Sequence, residues 1–165
     1  MKSAMRRACP NMVYASRNDA FGFAQRTRKN LAYIEKTFAE GADVHVVTQL
    51  VVSLLGLVVF PTERNVVRRL KTLNLSELES LGWPRWEFEL GSSQTLDQLM
   101  HYLRNAVAHG HIHFSSESRT LSEVYVQAEN YPPNSTSPNW RVKIAASDLR
   151  IFCLQFIDLV EQTIG

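Results

Sequence analysis

The stretch Leu103-Arg104-Asn105-Ala106-Val107-Ala108-His109-Gly110 holds the residue types that proton transfer at a phosphate requires. An imidazole can take a proton from a ribose 2′-OH or give one to a leaving oxygen near neutral pH. A guanidinium offers a permanent charge in a forked donor that fits a phosphate. An amide such as that of Asn105 orients either group or donates to a phosphoryl oxygen. Together these suit RNA cleavage without metal, in which the 2′-OH attacks the adjacent phosphorus and the protein stabilises the crowded anion.

Spacing groups the residues further. A helix turns about 100° per residue, so His101, Asn105 and His109, four apart, form one row. Leu96, Leu99, Met100, Leu103 and Val107 make the apolar stripe, and the row faces away from it. Arg104 lies on the flank. Ala106 and Ala108 are small and would let another helix come close. His109 stands near the helix end, where the macrodipole favours a cation. One histidine cannot easily act at both ends of an in-line reaction. A two-fold dimer would bring two histidines and two arginines together.

The elements that must hold this row are mostly helical. From Asp19, the residues Ala24, Thr27, Leu31, Ile34 and Phe38 recur at helical spacing until Gly41 closes the run. Val44 to Phe60 carries no charge, with Asp43 as N-cap and Pro61 as stop. At about 25 Å it is short for a bilayer core of about 30 Å. It reads as the central buried helix of a bundle, with a membrane span as the lesser reading. Residues 62–73 form a short helix with Val66, Val67 and Leu70 inward and Arg64, Arg68, Arg69 and Lys71 outward. The motif helix runs from Ser93 or Gln94 to His109, and Gly110 is its left-handed cap.

Sequence with a period of two follows. Val124 and Val126 alternate with polar neighbours, as do Trp140, Val142 and Ile144. They predict a small β-hairpin, its strands joined by a long, mobile, proline-containing connection over 130–139. His111 to Phe114 is a candidate for one further short strand. A last helix starts with Ser147 as N-cap and points Leu149, Phe152, Cys153, Phe156, Leu159 and Val160 inward. Leu75 to Leu90 has no assignable structure. Its Trp83 and Trp86 resemble a base-stacking platform, but packing of a loop over the core is the preferred reading.

The motif and this layout resemble HEPN domains, whose signature is R-x4–6-H with a polar residue after the arginine. Here it reads Arg104-Asn105-x-x-x-His109. The resemblance covers roughly residues 19–164 and is nearest to small stand-alone bacterial proteins of plasmids and other mobile elements. It implies a mainly α, up-and-down helical bundle, here with the hairpin inserted before the last helix. It also implies a homodimer with both motif helices at the interface and metal-independent endoribonuclease activity in a toxin–antitoxin or phage-defence setting. On that match Arg104 stabilises the phosphate and the transition state, Asn105 assists, and His109 is the general acid or base. His101, from the helical wheel alone, and His111 are added as substrate-binding candidates. The partners expected are RNA and an antitoxin, with no cofactor. The competing function is a non-catalytic HEPN module that dimerises and binds RNA or a nucleotide.

Composition bounds these readings. The 165 residues are 45% hydrophobic and 21% charged, which fits one folded domain and excludes a disordered chain or a disulfide scaffold. The net charge of +2 is too small to announce a nucleic-acid binder. Residues 1–36 hold eight bases against two acids, a local +6 that leaves −4 for the rest. Residues 1–18 read as a flexible basic leader and 19–165 as a single domain. Two cysteines, Cys9 and Cys153, without metal or redox spacing fit a reducing cytoplasm. His109, His111 and His113 alternate, but Gly110 separates the first from the others, so they are not read as metal ligands. No phosphate loop or nucleophile elbow is present.

Overall fold

The computed structural model describes residues 19–59 and 64–164. The leader with Cys9, and the stop at Pro61, lie outside the described residues, as do the side chains of Arg64 and Val67. The described helices are α1 (Asp19–Ala39), α2 (Val46–Val59), α3 (Arg64–Thr72), α4 (Leu75–Ser80), α5 (Leu96–Ala108) and α6 (Ala146–Ile164). The strands are β1 (Glu87–Leu90), β2 (Ile112–Phe114), β3 (Tyr125–Asn130) and β4 (Trp140–Ala145).

Helices α1, α2, α5 and α6 form the bundle. Helix α1 packs on α2 and α6, and α2 also touches α5 and α6. Arg28 pairs with Asp158 at 2.6 Å and Glu161 at 3.0 Å, while Arg150 holds Glu35 with both ends of its fork. Rising numbers on α1 meet falling numbers on α6, so the two run antiparallel. Helix α2 buries Val47, Leu50, Ser53, Leu54 and Leu57, yet Val52 is 54% exposed. Its uniform hydropathy therefore overstates its burial. No helix among the described residues is long and apolar enough to cross a membrane.

The helices agree with the expected helical bundle, but the sheet is larger than the expected small hairpin. Four antiparallel strands lie in the order β1-β4-β3-β2. The expected pair, β3 and β4, is the centre, and the candidate strand after the motif helix is the β2 edge. The other edge, β1, comes from the unassigned Leu75–Leu90 segment, with Glu87 opposite Lys143. Four residues are too few to display a strand period, and their partner is far along the chain. Helix α4 escaped notice for the same reason of length.

Trp83 and Trp86 contact Phe152 edge-on, at 5.6 and 5.1 Å between ring centroids. They cap the core and form no stacking platform. Helix α6 begins directly after β4, because the Ala146 N–H is already held by the Val124 carbonyl at 2.8 Å. Ser147 thus sits in the first turn instead of capping it.

Candidate functional site

Helix α5 is fixed at both ends. At the start, Thr95 Oγ1 accepts the Gln98 N–H at 3.3 Å, and Gln98 Oε1 accepts the Gln94 N–H at 2.7 Å. Its buried stripe is Leu96, Leu99, Met100, Leu103 and Ala106. Each of the larger four contributes roughly 1.5–3 kcal/mol by burial. Ala106, expected on the polar side, is fully buried, and Val107 is only partly so. The cause is β3, which packs on α5 and turns the inward face by part of a turn.

At the other end the chain closes in a Schellman motif. Gly110, at φ +71°, donates its N–H to the Val107 carbonyl at 3.1 Å, and His111 donates to the Ala106 carbonyl at 2.8 Å. The turn folds His111 back beside His109, with ring centroids 6.0 Å apart. Without the left-handed glycine, the chain would leave in another direction.

These residues line one wall of a cleft of about 650 Å³. His101, Tyr102, Asn105, His109 and His111 come from α5 and its cap. The end of β3 supplies Asn130, and the β3–β4 connection supplies Tyr131, Pro132, Pro133 and Asn139 opposite. So the row His101, Asn105, His109 does share one surface, and His111 joins it. Arg104 is exposed and is not among the cleft-lining residues.

Three amides bridge the walls. Asn105 Nδ2 donates to Asn130 Oδ1 at 3.1 Å, and Asn130 Nδ2 donates to Asn139 Oδ1 at 2.7 Å. The other contact of Asn105 Nδ2 is His101 Nε2 at 3.4 Å. Asn130 is only 6% exposed, so this ladder is a built feature. Tyr102 stacks on buried Trp140, with centroids 5.1 Å apart, which steadies the floor.

Tyr131 links the cleft to the sheet. Its ring lies 4.4 Å from that of His111, and its hydroxyl donates to Glu129 Oε2 at 2.6 Å. Glu129 sits on the outer face of β3 yet is 5% exposed. Arg141 Nε donates to its Oε1 at 2.6 Å, Gln127 Nε2 to the same oxygen at 3.2 Å, and His113 stands 3.8 Å away. The Tyr131 hydrogen bond is the main influence holding the Glu129 carboxyl below its usual range, with Arg141 and His113 assisting against desolvation. That same bond pushes the Tyr131 phenol up.

Asn130, Tyr131 and Asn139 escaped the sequence reading, which saw only a mobile connection. The loop is in fact tied, with Asn139 N–H on the Asn130 carbonyl at 2.9 Å and Ser135 N–H on Pro132 at 3.1 Å. A signal was present, namely an asparagine at each end of a proline-stiffened loop. Among the described residues no three His, Cys, Asp or Glu side chains come together as metal ligands. Cys153 is buried on α6, as expected.

A bundle whose core helix ends in Arg104-Asn105-x-x-x-His109 beside a polar cleft is of the HEPN class. The family model described as HEPN pEK499 p136 matches residues 12–164, and the chain belongs to that family. No curated protein and no solved structure matches it.

Proposed function

We propose that this chain is a metal-independent endoribonuclease, acting in the cytoplasm in a toxin–antitoxin or phage-defence setting. The observation that carries the reading is the cleft, where His101, Asn105 and His109 meet the Asn130–Tyr131 wall in a chain of HEPN ancestry. His109 transfers a proton, Asn105 orients the phosphate, and His101 and His111 hold the RNA. The 2′-oxygen forms a bond to phosphorus as the P–O5′ bond breaks. The products are a 2′,3′-cyclic phosphate and a 5′-hydroxyl.

The reading includes a homodimer with the motif helices at its interface. Arg104 and Ala108 are exposed on α5. A second copy docked there would bring its guanidinium to the phosphate, adding an arginine that the described cleft lining lacks. An antitoxin is the further partner such a setting calls for.

The test incubates purified protein with structured RNA in EDTA, wild type beside His109→Ala. Cleavage is expected to survive chelation, to leave cyclic phosphate ends, and to fall by about 10²–10⁴-fold in the variant. Products ending in 3′-hydroxyl, or a strict need for magnesium, would overturn it. The position of Arg104 outside the cleft favours a second reading, a non-catalytic module that dimerises and binds RNA or a nucleotide. That reading expects binding by both proteins and cleavage by neither.

A further inference from the structure

We propose that His111 is a second proton-transfer group, so that a single chain carries both the acid and the base of the reaction. The inference rests on the ribonuclease reading above, but it assigns the chemistry differently from a pair of histidines split across a dimer.

The first observation is which histidines are committed. The chain has five. His45 Nδ1 lies 3.1 Å from the Thr48 hydroxyl. His101 Nε2 lies 3.4 Å from Asn105, and His113 Nε2 lies 3.8 Å from Glu129. His109 and His111 make no side-chain hydrogen bond or ion pair among the described residues. Their recorded contacts are ring to ring, which leaves the ring nitrogens open to a ligand.

The second observation is geometry. In-line displacement needs one group at the entering 2′-oxygen and another at the departing 5′-oxygen, on opposite sides of one phosphorus. Each reaches its oxygen over about 2.7–3.2 Å. The two rings line the same cleft with centroids 6.0 Å apart, so each can turn a nitrogen to one of the two oxygens obliquely, from the same side of the phosphate. The Schellman turn sets the spacing, and Tyr131 holds the His111 ring from the other side. The groups facing His111 are His109 from the end of α5 and Tyr131 from the β3–β4 connection. Behind Tyr131 stand Glu129, Arg141 and His113 of the sheet, and His101 lines the cleft further along α5.

The step balances without a further reactant. One imidazole takes the 2′-OH proton as the O2′–P bond forms. The other, starting as imidazolium, protonates O5′ as the P–O5′ bond breaks. The two histidines end with their charge states exchanged.

The experiment uses a short RNA containing the site cut by the wild type, and the same RNA with sulfur replacing the scissile O5′. A thiolate leaves without a proton, so the sulfur substrate bypasses the acid alone. On ordinary RNA, His109→Ala and His111→Ala are each expected to lose about 10²–10⁴-fold in rate, and each to lose one limb of the wild-type pH profile. On the sulfur substrate one variant is expected to recover to near the wild-type rate and the other to stay depressed. Co-expressed chains, one carrying each variant, are expected to stay inactive, since no chain has both groups.

A loss under tenfold in His111→Ala with both limbs kept overturns the proposal, as does rescue of neither variant. Recovery of activity in the co-expressed pair would overturn the single-chain assignment by placing the two histidines in different chains. His111→Gln, checked by circular dichroism, guards against a folding defect and should be equally slow. A wild type that cuts no RNA would instead remove the ribonuclease reading, and this inference with it.

Discussion

Glu129 is the side chain whose state says most about the site. Alternation along β3 places it on the solvent side, but Tyr131, Arg141, Gln127 and His113 cover it. Its carboxyl is held below the usual range in the folded protein, first by the Tyr131 hydroxyl. The ionised form is therefore the one the fold favours. Its contribution is present above the unfolded-state pKa, near 4.5, and is lost as pH falls through the lower folded value. Glu129→Gln is expected to lower stability at pH 7 by about 1.5–3 kcal/mol, the usual range for hydrogen bonds to a charged group. Arg141 is 35% exposed, so solvent screening holds the effect to the lower end. Urea midpoints measured down through the acid range should converge for the two proteins. A constant gap would show that the carboxylate charge is not the cause. At this scale the cleft-lining row His101, Asn105 and His109 was readable, because its members share one helix and fixed spacing, whereas Arg104, on the same helix, is not among the cleft-lining residues. Asn130, Tyr131 and Glu129 were not readable, since only folding brings them to that helix.

Helix α5 acts as an element through its end. Gly110, at φ +71°, directs the chain so that His111 lies beside His109, and a Cβ there would meet nothing within 4 Å. The cost of Gly110→Ala is then purely conformational, about 1–2 kcal/mol for an L-residue in the left-handed region. Gly82, at φ +87° and equally open, closes α4 away from the cleft and serves as the control. Both alanine variants are expected to melt a few degrees lower. Only Gly110→Ala should also slow RNA cleavage, because only that turn positions a cleft residue. Equal cleavage by the two would separate the turn from the chemistry. The long helices were legible from their apolar period, and the αL stop after α5 from its glycine. The face that α5 turns inward was misread at Ala106, because β3 decides it from outside the helix.

For the whole molecule, the core joins the bundle to the sheet through Trp140, Phe152, Phe156 and Leu103, all fully buried. Cys153 lies within it, and burial pushes its thiol up to about 12. In a Cys9→Ser background, Cys153 is expected to resist a thiol reagent in native buffer and to react fully in denaturing urea. Fast labelling of the native protein would mean that α6 opens separately from the core. The amino-acid sequence alone determined where the long helices lie and which residues form the His101–Asn105–His109 row, since a helical period is set by near neighbours. Tertiary structure alone decided that β1 joins β4, that the β3–β4 connection closes a cleft over the row, and that Glu129 is buried. Those outcomes depend on side chains meeting across long stretches of chain, and no local period encodes which distant partner a strand or a loop will find.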